Sequence, residues 1–93
     1  MLKRLVDEGE KLRSDIIDGK GPYEENIKII NSDEFYKWVY KSLFYLDAQL
    51  SENSIVLTEI KKSFSKLEDA NSVDFHKKLL QAVKAKHEFN EDE

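Results

Sequence analysis

The side chains that could do chemistry in this chain are two histidines, scattered serines, neighbouring carboxylates, fifteen basic residues and ten aromatics. There is no cysteine, which excludes disulfides, thiolate metal sites and thiol nucleophiles. His76 and His87 fall eleven residues apart on one face of an expected helix, roughly 16 Å at 1.5 Å per residue, so they cannot share a metal ion. Neither has a carboxylate or second histidine at a spacing of three or four on an inward face, as a helical metal site requires. The nearest approach to one is His87 with Glu91, in an expected fraying end. Buried, hydrogen-bonded histidines are the expectation, with no metal and no cofactor.

Nucleophile chemistry has no better footing. No Gly-x-Ser-x-Gly turn is present, and the serines stand mostly where helices begin, where capping explains them. Gly19-Lys20-Gly21-Pro22 closes a helical pattern, whereas a phosphate-binding glycine loop opens one. Asp15 with Asp18, and Glu24 with Glu25, are paired carboxylates in polar stretches that lack the apolar surroundings a general acid needs. The chain is therefore expected not to be an enzyme.

Two groups of residues could bind rather than react. Phe35, Tyr36, Trp38, Tyr40, Phe44 and Tyr45 place six of the ten aromatics within eleven residues. On a helical wheel Phe35, Val39, Leu43, Leu46 and Leu50 suffice for a core stripe, which leaves Tyr36, Tyr40 and Phe44 as a second stripe and Trp38 with Tyr45 on the other flank. Such a helix is either central and covered on all sides or half core and half interface. Tyrosine and its aromatic relatives are enriched where proteins dock. Lys77, Lys78, Lys84 and Lys86 make the last helix basic, and Lys61, Lys62 and Lys66 do the same for the helix before it. If the two faces adjoin, Lys61, Lys62, Lys66, Lys77, Lys78 and Lys84 form a patch that could meet phosphates. Arginine, the residue of bidentate base reading, is limited to Arg4 and Arg13.

The elements that must position these residues are helices. Leu2, Leu5, Val6, Leu12, Ile16 and Ile17 recur at helical spacing and predict a first helix over residues 2–18, with Gly9 in its apolar stripe allowing close approach of another helix. Asp18 to Pro22 stops it, and a loop of a dozen residues follows whose Ile27, Ile29 and Ile30 are apolar enough to lie on the body. No alternating strand pattern is read. Ser32 caps a second helix to about Leu50, Ser51-Glu52-Asn53-Ser54 turns into a third to about Glu68, and Asn71-Ser72 opens a fourth to about His87. Val56, Ile60, Phe64 and Leu67 make the inward stripe of the third helix, with Leu57 beside it. Val73, His76, Leu79, Leu80 and Val83 make that of the fourth.

These elements predict an all-α fold, a four-helix bundle of antiparallel neighbours with one long loop between helices one and two. One domain over residues 1–88 and an acidic, fraying tail over 89–93 use the whole length. The net charge of −4 comes from Glu88, Glu91, Asp92 and Glu93 at the C-terminal end, because residues 1–87 hold fifteen acids against fifteen bases. The body therefore has no global field to steer a polyanion. No run approaches the roughly 20 apolar residues of a membrane span, and Lys3, Arg4, Asp7 and Glu8 break any apolar leader, so no membrane partner and a cytoplasmic location are expected.

Leu5-x-x-Glu8-Gly9-Glu10-x-Leu12, then Tyr36-x-Trp38 followed by Leu43-x-x-Leu46, then the closing Leu79-Leu80 helix, resemble small helical regions of bacterial and phage-derived proteins of unknown function. The resemblance spans most of the chain, apart from the isoleucine-bearing loop. It implies an accessory or adaptor unit, standing alone or as the N-terminal portion of a longer protein, and it transfers no catalytic residue. The expected function is thus non-enzymatic binding of another protein chain, itself included, through Tyr36, Tyr40 and Phe44. The alternative is a nucleic-acid-binding or regulatory protein that uses the lysine patch.

Overall fold

The computed structural model describes residues 1–51 and 53–91. Glu52 of the expected turn, the Glu91 side chain of the His87–Glu91 pair, and Asp92 and Glu93 of the acidic tail lie outside the described residues. The fold is mostly helical, with four α-helices among the described residues: α1 (Leu2–Lys11), α2 (Asp33–Gln49), α3 (Ile55–Ser65) and α4 (Ser72–Glu91). It is not all-α, because β1 (Ile17–Lys20) and β2 (Asn26–Ile29) pair as an antiparallel hairpin where the first helix was expected to end and the long loop to run.

The physical reason lies in residues 12–17. Helix α1 tightens at Leu12 into a 3₁₀ turn that ends at Asp15, and the Ser14 hydroxyl donates to the Lys11 carbonyl, which competes with the helical ladder. Ile16 then turns extended, with φ −71° and ψ 127°, and Ile17 pairs with Ile29. β-Branched residues fit a pleated strand once a partner is available. That partner is Ile27-Lys28-Ile29, a short alternation in which the two isoleucines are partly or fully buried and Lys28 is exposed.

Capping holds the other boundaries. The Ser32 side chain accepts from the Phe35 amide at 3.2 Å, and that of Ser54 from the Leu57 amide at 3.3 Å. Helix α4 continues through Glu91, past His87. It also takes the centre of the fold, since α1, α2, α3 and β2 all pack on it. Tyr40 lies beside Phe64, and Asp47 pairs with Lys61, so the later residue of α2 meets the earlier one of α3.

The core is built on Leu5, Ile30, Phe35, Trp38, Val39, Leu46, Ile60, Leu79 and Val83. On α2 the fully buried positions are Phe35, Trp38, Val39, Ser42 and Leu46, while Leu43 and Leu50 are only half-buried. The core face is therefore rotated towards Trp38 from the stripe expected. On α3 Leu57, and not Val56, is buried with Ile60. Phe75 joins the core of α4, its ring centroid 6.0 Å from that of Phe64. No helix among the described residues is long and apolar enough to cross a membrane.

Candidate functional site

Rotation of the core face leaves a defined outer face on α2. Asp33, Glu34, Lys37, Tyr40, Lys41, Phe44, Asp47 and Ala48 are all exposed and fall within one arc of the helix, opposite Phe35, Ser42 and Leu46. Phe44 stands at the middle of this arc and is 74% exposed; Tyr40, one turn earlier, is 49% exposed and sets its ring edge-on to Phe64 at 5.9 Å. Tyr36 does not belong with them. It is half-buried against the core and lies edge-on to Phe35, with ring centroids 5.2 Å apart.

Tyr40 also lines a groove of 580 Å³ between α2 and the α1–3₁₀ segment. Leu12 and Trp38 contribute apolar lining, and Glu8, Lys11, Asp15, Glu34, Lys37 and Lys41 contribute charges of both signs. Lys41 donates to Glu8 at 2.6 Å, and the Ser32 hydroxyl donates to Asp15 at 2.6 Å. Three cations against three anions leave the groove without a net field for one small charged ligand. Ser14, the serine among the described residues that line it, turns its hydroxyl to the Lys11 backbone carbonyl. Lys11, Leu12 and Asp15 were not legible as site residues, since only the crossing of α1 over α2 brings them to Tyr40.

His76 is part of the core. It is 1% exposed and sits against Phe35 and Trp38, with its Nε2 2.8 Å from the Gly9 carbonyl oxygen. A carbonyl only accepts, so Nε2 carries the proton. Burial is the largest influence on the imidazole and holds it below its ordinary value, opposed by the hydrogen bond to Gly9.

No protein-family model, curated protein sequence or solved structure gives a significant match to this chain. Its candidate site therefore rests on its own geometry.

The lysines are distributed over two clefts and the contact between α2 and α3. Lys66 and Lys78 line a cleft between α3 and α4 together with Asp74, and Lys78 donates to the Ser63 hydroxyl at 3.0 Å. Lys77 and Lys84 line a different cleft with Arg13, where Lys84 pairs with Glu10. That ion pair is the largest influence holding the Glu10 carboxyl below its ordinary value. Lys61 turns towards α2 and pairs with Asp47 at 2.8 Å. Lys62 is exposed on α3, and Lys86 lies over the Phe89 ring at 5.2 Å.

Proposed function

We propose that this chain is a non-enzymatic protein-binding module that docks another protein chain on the outer face of α2, with Phe44 and Tyr40 as anchors. The observation that carries this reading is the placement of Phe44. A phenylalanine 74% exposed sits at the centre of a helix face whose opposite side already supplies a full core stripe. Burying such a ring against a partner contributes about 1.5–3 kcal/mol, enough to make one residue dominate a small interface. Tyr40 adds contact area with a polar tip, and the adjoining groove gives a partner side chain a concave seat. The rim of mixed charges suits a partner whose own rim carries both signs, and it supports register more than affinity.

The nucleic-acid reading has less support, because the lysines divide among separate clefts and several already face an acid or a hydroxyl. Phosphate contacts add up only when many cations track one backbone.

The test is site-specific photo-crosslinking in the source cell, with the photoreactive residue at position 44 and, as a control, at the exposed Lys3. Adducts of defined mass at 44 and none at 3, resistant to nuclease and to moderate salt, support the module; an adduct of twice the chain's mass identifies a second copy as the partner. Equal labelling at both positions sinks the reading.

A further inference from the structure

Among the described residues, the hairpin leaves one of its edges open. β2 packs against α4 and the short 3₁₀ turn Asp69–Asn71, and its continuation is anchored by the Ile30 amide donating to the buried Ser72 hydroxyl at 2.9 Å. β1 lies outside β2, with Ile17, Asp18 and Lys20 exposed.

The direction of each backbone group on that edge follows from one bond. The Gly21 amide donates to the Glu25 carbonyl at 2.8 Å, so Gly21 and Glu25 form a hydrogen-bonded pair. Antiparallel ladders alternate, so Gly19 with Ile27 and Ile17 with Ile29 are hydrogen-bonded pairs too, while Lys20 with Asn26 and Asp18 with Lys28 are the close, non-hydrogen-bonded ones. The side chains agree. Lys20 donates to Asn26 at 2.7 Å and Lys28 pairs with Asp18, both across close positions. The N–H and C=O groups of Asp18 and Lys20 therefore point away from β2.

We propose that the open edge of β1 pairs with the same edge of a second copy of this chain, antiparallel about a two-fold axis through Gly19, closing a four-stranded sheet across two copies. Parity, charge and shape point to this register together. With Gly19 on the axis, Asp18 of one copy stands opposite Lys20 of the other, and these are the residues whose backbone groups face outward, so each pair exchanges both bonds. The side-chain row then reads Lys28, Asp18, Lys20 of the second copy and its Asn26, a cation on either side of the carboxylate. Gly19 meets its copy at a close position, where the absence of side chains lets the strands approach. Its Cβ direction is already filled by Ile29, whose Cδ1 would lie 2.9 Å from a Cβ there. β1 is held by a single partner strand, and pairing along its outer edge gives it a second. The charges that would blunt this edge against other strands are self-complementary in this register alone. The surface is separate from the outer face of α2, and neither proposal depends on the other.

The test reads amide hydrogen exchange residue by residue in the whole chain, from about 20 µM to about 1 mM because so small a contact belongs to the weak class. Exchange at Asp18 and Lys20 is expected to slow about tenfold with concentration, in step with a dimer by sedimentation, while Gly19 and Ile27, already bonded within the hairpin, stay constant. Lys20→Asp, which leaves Asp18 with Lys28 but sets carboxylate against carboxylate across the axis, should abolish the concentration dependence, and Phe44→Asp should retain it. Should Lys20→Asp loosen the hairpin, seen as faster exchange at Gly19, the unmodified chain still decides. Asp18 and Lys20 amides that exchange equally fast at both concentrations overturn the proposal, as does a dimer lost in Phe44→Asp and kept in Lys20→Asp.

Discussion

His76 on α4 and Gly9 on α1 are joined by a 2.8 Å hydrogen bond from the imidazole Nε2 to the backbone carbonyl. One turn earlier on α1, the Leu5 carbonyl accepts from the Trp38 indole at 2.8 Å. Two ring donors from two different helices thus grip carbonyls four residues apart on a third. The grip works only because Gly9 has no side chain: a Cβ there would lie 2.6 Å from Trp38 Cζ2 and 2.7 Å from Leu80 Cδ1.

Gly9→Ala is therefore expected to destabilise the fold although it suits a helix better. The gain in helix propensity is about 1 kcal/mol, whereas overpacking against an indole buried on all sides costs about 1–3 kcal/mol and strains both ring hydrogen bonds. A lower urea midpoint with an unchanged slope is the expected result. A higher midpoint would show that the helices can separate without loss.

Acid should weaken the fold through His76. Burial, the largest influence, keeps its folded pKa low; Arg13 and Lys77 act in the same direction, and the Gly9 bond and Glu10 act against it. The unfolded chain then takes up its proton at higher pH than the folded one. Stability from this group is present above about pH 6.5, the ordinary value of histidine, and is lost as pH falls below it. Glu10, also held low, contributes above its ordinary 4.5 and is lost only in stronger acid. Urea midpoints at pH 7.5 and 5.5 should differ, and His76→Gln, whose amide can still donate to Gly9, should flatten the difference. A slope as steep in His76→Gln would place the titration elsewhere.

Two buried serines should respond in opposite ways. The Ser42 hydroxyl is fully buried with no hydrogen-bond partner among the described residues, so Ser42→Ala removes an unsatisfied group from a helix and should be neutral or stabilising by up to about 1 kcal/mol. Ser72 accepts from the Ile30 amide and donates to the Asp69 carbonyl at 2.8 Å. Ser72→Ala should cost about 1–3 kcal/mol and speed exchange of the Ile30 amide, because the hairpin loses its tie to α4.

What was readable in the chain depended on range. The cap at Ser32, the turn ending at Ser54 and the periodicity of α2, α3 and α4 are local signals and placed those helices within a few residues. The hairpin was not readable, because Ile16 and Ile17 fit the helical stripe of Leu5 and Leu12 as well as they fit a strand, and only pairing with Ile27 and Ile29 decides between them. For the same reason Trp38 was misplaced: its indole is a core group because Leu5 offers a carbonyl and Gly9 offers room, both on another helix. Phe44 and Tyr40 were legible as surplus to a core stripe. Tyr36 was not distinguishable from them by spacing alone, and neither was the division of the lysines between clefts.

That division of the aromatic stripe yields the sharpest stability contrast. Tyr36 packs on Phe35 at the edge of the core, whereas Phe44 contributes almost nothing to it. Tyr36→Ala should cost about 2–4 kcal/mol, near the lower range for truncating a buried aromatic because part of its surface is already wet. Phe44→Asp should change stability by no more than about 0.5 kcal/mol, as exposed substitutions away from caps and core generally do. Tyr40→Ala should fall between, losing only the edge contact with Phe64, worth about 0.5–1.5 kcal/mol. Thermal or urea unfolding of the three variants orders them directly. If Phe44→Asp proves as damaging as Tyr36→Ala, Phe44 is covered in the folded protein, and the outer face of α2 is core rather than a docking surface.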